Sequence, residues 1–260
     1  MSDSFKERKT RAALMAKCSQ LAYLKPEDAE NHWSSLGYPQ SKFISHEGAQ
    51  CYIVWNSDET IIVFRGTEPT QWSDVKADLD AIQKKSNTKG DVHGGFKGEL
   101  DKIWQNILMS FMNRGENTEG GLSQNHKFFI TGHSLGAAMA TIAASRLYET
   151  FNVQSLYTFG SPRVGDRSWV KNLGVTHYRF QNNNDIVCTV PFWFMGYRHH
   201  GKNIYIGYDG KINLLSLWAR FLDGLKGRWR ALKKKEAFDG IYDHDIGRYH
   251  KRIEKCTSGL

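Results

Sequence analysis

A serine with a glycine two residues away on each side, Ser134 in "GHSLG", lies where the apolar run "KFFIT" gives way to the alanine-rich run "LGAAMATIAASRLYE". The pattern G-x-S-x-G between a strand and a helix is typical of a nucleophile elbow, in which small neighbours let strand and helix approach closely around a strained serine. The free N–H groups and positive dipole end of the new helix face any negative charge that develops there. We therefore predict that Ser134 is a reactive nucleophile.

A serine at neutral pH is a poor nucleophile, so this chemistry also requires a histidine base and a carboxylate that orients the base. In α/β-hydrolases the chain order is serine, acid, histidine, with the acid and the base on loops after later strands. Asp185 closes "THYRFQNNND" after one predicted strand, and Asp166 in "SPRVGD" follows the preceding strand. The residues favour Asp185 and leave Asp166 as an alternative.

The base must lie beyond Ser134, which leaves five histidines: His177, His199, His200, His244 and His250. The first lies inside a predicted strand, and the next two share the short turn "YRHHGK". His244, in "IYDHDIGRY", comes late enough in the chain to return over the sheet. We predict that His244 is the base, with His250 as a second choice.

Acyl transfer also needs fixed hydrogen-bond donors aimed at the oxygen that becomes negative. The backbone N–H of Leu135, the residue after the nucleophile, supplies one such donor in a nucleophile elbow. Thr67 in "TIIVFRGTEPTQW" follows a buried strand and offers both an N–H and a hydroxyl group. We predict that Leu135 and Thr67 form the oxyanion hole; the alternative is that "RGT" only ends a strand.

The elements that position these residues alternate along the chain. A helix over residues 5 to 24 precedes a hairpin of "CYIVW" and "TIIVF", whose second strand is apolar on both faces and therefore central. Apolar residues at helical spacing between Phe96 and Phe111 predict a helix that lies on the sheet. The strands "KFFIT", "SLYTFG" and "THYRFQ" follow. This alternation predicts an α/β fold with a mostly parallel central sheet flanked by helices.

Composition limits the class of protein. The chain has 260 residues, 40% of them apolar, which fits a single domain over residues 1–260. No window approaches the roughly 18 apolar residues of a membrane span, and the first residues lack the apolar core of a signal peptide. The expected location is cytoplasmic, or exported without a recognisable signal. Four scattered cysteines predict neither a metal site nor a disulfide framework.

Six ordered motifs, "IIVFRGT", "VHGGF", "FITGHSLGAA", "LYTFGSPRVGD", "NNNDIVCTVP" and a late "DH", resemble the class 3 lipase family, which includes the fungal triacylglycerol lipases. The resemblance runs from about Cys51 to Tyr249. It implies an α/β-hydrolase fold and a serine carboxylester hydrolase of lipid esters, without metal or organic cofactor. The implied residues are Ser134 as nucleophile, Asp185 as acid, His244 as base, and Thr67 with Leu135 as oxyanion hole.

The resemblance leaves alternative functions open, and this sequence departs from the family pattern at two places. Phospholipases A1 and feruloyl esterases belong to it, and a hydrolase fold can serve as a non-catalytic lipid-binding scaffold. Fungal members carry a tyrosine three residues beyond the catalytic histidine, whereas Tyr249 lies five beyond His244. Leu24 stands where a fungal cysteine is expected, and a bridge between Cys18 and Cys256 is left open.

Two segments bear on how the substrate is bound. The resemblance implies a lid helix over residues 68–79 with Trp72 on its inner face; the alternative is a static surface helix with Trp72 as a core anchor. The run "PFWFMGY" predicts an acyl-chain crevice that includes Trp193, or else ordinary core packing.

The net charge of +8 is concentrated near the end of the chain, where residues 201–260 contain 13 Lys and Arg against 7 Asp and Glu. Within it, residues 212–236 combine an apolar stripe from Leu214 to Leu232 with interleaved basic residues. This pattern predicts a basic amphipathic helix on an anionic lipid surface, or the same stripe packed on the protein body. A nucleic-acid partner is not expected, because the aromatic residues follow the helical stripe.

Overall fold

Helices and strands alternate through most of the chain, and the computed structural model describes residues 5–66, 82–116, 125–213 and 239–258. The helices are α1 Phe5–Leu21, α2 Pro26–Ser35, α3 Gly94–Glu116, α4 Leu135–Leu147, α5 Arg167–Asn172, α6 Asp239–Tyr242 and α7 Ile246–Ser258. The strands are β1 Gln40–His46, β2 Ala49–Trp55, β3 Glu59–Phe64, β4 Gln83–Lys85, β5 Asp91–His93, β6 Lys127–His133, β7 Val153–Phe159, β8 His177–Asn182, β9 Lys202–Ile206 and β10 Ile212–Asn213.

Eight of these strands form one sheet in the order β1-β2-β3-β6-β7-β8-β9-β10. The pairs from β3 to β9 are parallel, and antiparallel pairs close both ends of the sheet. Because the connections between parallel strands cross over through helices, the carboxyl ends of β3, β6, β7 and β8 meet at one edge. The functional groups predicted from the sequence follow these strand ends.

Two apolar cores cover the two faces of the sheet. Side chains that alternate along β2 and β3 divide between them: Ile53 and Ile62 face one core, and Val54 and Ile61 face the other. Helices α3, α4 and α5 cover the first face, and α1, α2 and α7 cover the second. Every residue of β3 is buried, as expected for a strand covered on both faces.

The predicted elements up to β8 are present. The hairpin is β2 and β3 in antiparallel register. The five apolar residues of the predicted stripe, Phe96, Leu100, Ile103, Ile107 and Phe111, are all buried on α3. The predicted α/β fold with a mostly parallel central sheet is confirmed. No helix among residues 5–66, 82–116, 125–213 and 239–258 is long and apolar enough to cross a membrane.

Some predicted features lie outside the described residues, and two others can be compared with the structure. Thr67 and the lid over residues 68–79, with Trp72, lie outside the described residues, as does the segment 214–236. The predicted helix over 212–236 is wrong for its first two residues, which form β10 because Ile212 and Asn213 pair with the edge strand β9. All four cysteines are free, so Cys18 and Cys256 form no bridge.

Candidate active site

Ser134 occupies a strained turn between β6 and α4. Its backbone has φ 59° and ψ −128°, a conformation that costs a non-glycine residue about 1–3 kcal/mol. The close approach of strand and helix requires glycine on both sides. A Cβ on Gly132 would lie 2.3 Å from the carbonyl oxygen of Gly136, and one on Gly136 would lie 2.3 Å from that of Phe64. The packing therefore explains both glycines of "GHSLG".

Asp185 lies in the loop after β8 and is completely buried. Its carboxylate accepts hydrogen bonds from the phenol of Tyr249 at 2.5 Å and from the backbone N–H of Val187 at 2.9 Å. Burial alone raises the pKa of this carboxyl, but the charge of His244 and the hydrogen bonds from His244 and Tyr249 outweigh it and hold the pKa below 3.8. Asp185 is therefore an anion at neutral pH.

His244, in the turn before α7, is also completely buried. Its Nδ1 lies 2.9 Å from both carboxylate oxygens of Asp185. Because an ionised carboxylate only accepts hydrogen bonds, Nδ1 carries the proton and Nε2 is the nitrogen that can act as a base. This contact brings together the acid and the base that the sequence predicts.

His133 packs against the base and holds its backbone. The two imidazole rings lie 4.4 Å apart, and His133 Nε2 donates to the backbone carbonyl of His244 at 2.6 Å. A carbonyl only accepts, so the Nδ1 of His133 is the acceptor of the hydrogen bond from the Tyr23 hydroxyl at 2.8 Å. Burial, and then the charge of His244, lower the pKa of His133 from 6.5 to about 3, so it remains neutral.

A second set of contacts clamps the acid loop to the residue before the base. The Asn182 amide donates to the backbone carbonyl of Asp243 at 2.8 Å, and the buried Asp243 carboxylate accepts from the Asn183 amide at 2.7 Å and from the Asn184 N–H at 3.2 Å. The asparagines of "NNND" therefore hold the two loops that carry Asp185 and His244.

Ser134 lies next to the Asp185–His244 pair. The N–H of Ser134 donates to the carbonyl of Phe159 at 3.0 Å. Gly160, the residue after Phe159, lies against the pair, since a Cβ on it would be 2.7 Å from both Asp185 Oδ2 and His244 Nδ1. The Ser134 hydroxyl is buried and makes no hydrogen bond with the described residues. Nucleophile–base hydrogen bonds are often long without substrate and tighten when it binds.

The oxyanion donors can be located in part. Leu135 is the first residue of α4, so its N–H is one of the unpaired donors at a helix N-terminus. Gly66, the last described residue before Thr67, lies against the elbow, where a Cβ would be 2.5 Å from the His133 carbonyl oxygen and 3.1 Å from Ser134 Cβ. The roles of Leu135 and Thr67 stay predictions.

The alternative acid and bases make contacts outside this site. Asp166 caps α5, since its carboxylate accepts from Trp169 N at 2.7 Å. His177 and His200 contact each other at 3.1 Å between β8 and β9, and His250 is half-buried on α7. Neither Asp166 nor these histidines is hydrogen-bonded to the elbow serine.

The exposed residues and the supporting residues of the site differ from the sequence-based expectation. Core packing of Trp193 is wrong because its side chain is 64% exposed, while the acyl-crevice alternative stays a prediction. Tyr23, His133 and Asp243 also support the site, and no sequence pattern points to them; Tyr249, named above only for its distance from His244, contacts the acid. Among the described residues, no three His, Cys, Asp or Glu side chains are grouped so that they could hold a metal ion.

Two proteins resemble this chain in sequence over about two thirds of its length or more. It is 30% identical over 239 residues to the toxin TseL of Vibrio cholerae serotype O1, covering 72% of this chain and 36% of the toxin. It is also 30% identical over 188 residues to a lipase of Rhizomucor miehei, covering 67% of this chain and 47% of that lipase. The chain thus spans between about a third and a half of the length of these relatives.

Solved structures and a family model match as well. The triacylglyceride lipase of Rhizomucor miehei superposes with a TM-score of 0.63 at 21% identity, over 79% of this chain and 82% of that one. Lipase II from Rhizopus niveus gives a TM-score of 0.65 at 23% identity, over 76% and 80%. These matches confirm the α/β-hydrolase fold. The model for lipase (class 3) matches residues 61–195, just over half of the chain, and the protein therefore belongs to the class 3 lipase family.

Proposed function

We propose that the protein is a serine carboxylester hydrolase that acts on lipid esters, with triacylglycerols as its substrate class. The observation that carries the proposal is the contact of His244 Nδ1 with both oxygens of Asp185, beside a serine at a positive-φ elbow. A buried carboxylate that fixes one nitrogen of a buried imidazole leaves the other nitrogen as a base. Ser134 is the hydroxyl that this base serves.

The proposed reaction has two halves. In the first, Ser134 Oγ attacks the ester carbonyl carbon while His244 Nε2 takes the hydroxyl proton, and the imidazolium then protonates the departing alcohol. In the second, His244 takes a proton from water, the hydroxide attacks the acyl-enzyme, and the fatty acid leaves as Ser134 recovers its proton. Asp185 remains ionised throughout and stabilises the imidazolium that forms in each half.

Each tetrahedral intermediate carries a negative oxygen. We assign the backbone N–H of Leu135 and Thr67 as the donors that bind this oxygen. The N-terminus of α4 contributes its positive dipole end at the same place. Removal of one such donor costs an enzyme about 2.7–4 kcal/mol of transition-state stabilisation. Leu135 is fixed at the start of a buried helix, which means that its donor is preorganised.

The substrate class rests on the relatives. The solved Rhizomucor miehei structure is named a triacylglyceride lipase. A relative from Fusarium solani, 35% identical over 118 residues, is named a secreted mono- and diacylglycerol lipase. The lid over residues 68–79, with Trp72, and the anionic lipid contact of residues 214–236 belong to the same proposal. A lid that opens on lipid predicts a rate that rises steeply once the substrate exceeds its solubility.

The test measures fatty acid release from triglycerides, phospholipids and short p-nitrophenyl esters. We expect Ser134→Ala to lose activity by about a thousandfold or more. The matched control is Ser145→Ala, which removes another buried serine hydroxyl, bonded to Ile142 O on α4. Triglyceride as the preferred substrate supports the proposal, whereas a preference for phospholipids or for feruloyl esters replaces its substrate class.

An active-site serine probe separates an enzyme from a non-catalytic scaffold. A fluorophosphonate should label the wild type and Ser145→Ala, and it should leave Ser134→Ala unlabelled. Absence of labelling in the folded wild-type protein, or equal labelling of Ser134→Ala, would show that the serine is not a nucleophile.

A further inference from the structure

Four consecutive large apolar side chains project into solvent at Phe192, Trp193, Phe194 and Met195, which we call the apolar tip. Their exposed fractions are 46%, 64%, 68% and 43%. The rings of Phe192 and Phe194 stack on each other at 5.3 Å. Scattered exposed apolar residues are ordinary, but a contiguous exposed cluster of this kind marks an interaction surface.

Two arginine side chains hold the backbone of the tip by hydrogen bonds. Arg198 Nη1 donates to the carbonyl oxygen of Trp193 at 2.6 Å, and Arg163 Nη1 donates to that of Pro191 at 2.9 Å. The tip ends at Gly196, whose φ of 89° turns the chain back to the body. Because its backbone is fixed by hydrogen bonds, the tip presents its side chains without a large further loss of conformational entropy on binding.

The tip lies at the same edge of the sheet as the candidate active site. It follows Asp185 in the loop after β8, and the loop after β7 pairs with it through Arg163 N and Val190 O at 2.8 Å. Exposed Ile186, directly after the acid, and exposed Ile82 extend the apolar surface along this edge. A surface that contacts the tip therefore also lies against the sheet edge that carries Ser134.

Basic residues surround the tip. The charges of Arg163 and Arg198 are close enough to repel, which adds to burial in lowering the pKa of Arg163 below its ordinary value. Neither guanidinium forms an ion pair with any carboxylate in the part of the chain that the structure describes. Exposed Lys84 lies on β4 beside Gln83, whose side chain contacts the Met195 carbonyl at 3.4 Å. Its neighbour Lys85 is also exposed but is paired with Asp91 at 3.0 Å. An apolar tip inside a basic rim is complementary to apolar chains beneath anionic headgroups.

We propose that the apolar tip inserts into the headgroup layer of a bilayer that contains anionic phospholipid, and docks the active-site edge on that membrane. The inference rests on the proposed function, which gives such docking its purpose, since an ester chain would then pass from the bilayer to Ser134 without crossing water. It assigns docking to residues 192–195, independently of the basic segment 214–236.

The experiment is vesicle flotation in a Ser134→Ala background, so that binding is measured without hydrolysis. The vesicles contain equimolar phosphatidylcholine and phosphatidylglycerol, or phosphatidylcholine alone. We expect the partition coefficient on the anionic vesicles to fall by about tenfold or more in Phe192→Ala/Phe194→Ala, because two aromatic side chains lose their burial in lipid. We also expect binding to phosphatidylcholine alone to be weaker by about tenfold.

The matched control is Met109→Ala/Met112→Ala on α3. These side chains are 56% and 67% exposed, and the end of α3 packs near the start of β6, at the opposite edge of the sheet. The control should bind as the parent does. Unchanged flotation of the tip variant, equal losses in tip and control variants, or equal binding to both vesicles would overturn the proposal. Serine labelling tests the proposed function separately, so each can fail alone.

Discussion

The phenol of Tyr249 donates a 2.5 Å hydrogen bond to Oδ2 of Asp185, and the same phenol oxygen accepts the backbone N–H of Asn182 at 2.9 Å. Burial and the negative charge of Asp185 raise the pKa of Tyr249 well above 10.0, so the phenol stays protonated and keeps donating. The tyrosine lies five residues beyond His244, yet it reaches the acid because α7 begins directly after the base and runs along the second core.

Replacement of Tyr249 by phenylalanine should weaken the orientation of the acid. A hydrogen bond to a charged group contributes about 1.5–3 kcal/mol, so we expect kcat/KM on a soluble p-nitrophenyl ester to fall by about tenfold or more. The matched control is Tyr52→Phe, which removes a hydrogen bond to Leu24 O at 2.9 Å on another part of the second core. Equal kinetics of the two variants would contradict the positioning role.

Local patterns in the sequence predict much of this site. Continuous apolar runs predict β3 and β6, the alanine-rich run after the elbow predicts α4, and the order of the chain places Asp185 and His244 after the elbow. Such patterns show which face of an element is apolar, but not which distant element covers it. The contacts of Tyr249 with Asp185 and of Tyr23 with His133 depend on the packing of α7 and α1, so no local pattern predicts them.

The same reasoning explains the errors. Apolar residues 192–195 are equally compatible with burial, and their exposure depends on how Arg163, from the loop after β7, and Arg198, from the same loop as these residues, hold the backbone. The strands β1, β9 and β10 lie toward the ends of the sheet, where one face is less covered and the apolar pattern is weak.

A methyl group on Gly160 should displace the acid–base pair. Its φ is 59°, and a Cβ would lie 2.7 Å from Asp185 Oδ2 and from His244 Nδ1. We expect Gly160→Ala to lower kcat by about a hundredfold, as misplacement by about 1 Å does in other enzymes. Gly210→Ala is the control, because φ is 79° there and the nearest atom, Arg252 Cγ, is 3.8 Å away.

Both substitutions place alanine at positive φ, and this strain should cost each about 1–2 kcal/mol in the free energy of unfolding. The control should lose stability but keep its activity, which separates backbone strain from the clash at the site. Thermal unfolding and kcat on the soluble ester give the two readouts. Full activity of Gly160→Ala would mean that the pair tolerates the shift.

Replacement of Asp243 should lower kcat because it disturbs the position of His244. Asp243→Ala removes the acceptor of the Asn183 amide and of the Asn184 N–H, at a cost of about 1–3 kcal/mol in stability. The clamp positions the base and does not touch substrate, so we expect kcat to fall by about tenfold while KM changes little, with partial recovery in Asp243→Asn.

The exposed Asp245 provides the control for Asp243, since it also carries a carboxylate next to the base but caps α7 by accepting from Arg248 N at 2.8 Å. Asp245→Ala should lower the unfolding temperature and retain kcat. A rise in KM without a change in kcat for Asp243→Ala would assign this residue to substrate binding instead.

His133 should make stability depend on pH. In the folded protein burial and the charge of His244 lower its pKa from 6.5 to about 3, so between these values the unfolded state takes up a proton that the folded state refuses. The contribution of His133 to the free energy of unfolding is complete above pH 6.5 and is lost as pH falls toward 3, at about 1.4 kcal/mol per pH unit.

Urea unfolding between pH 6.5 and about 5, above most carboxyl titrations, measures this slope. His133→Gln, whose amide can still donate to the His244 carbonyl, should reduce the slope by one proton. An unchanged slope in His133→Gln would mean that the ring is protonated in the folded protein, and the neutral support of His244 would then be wrong.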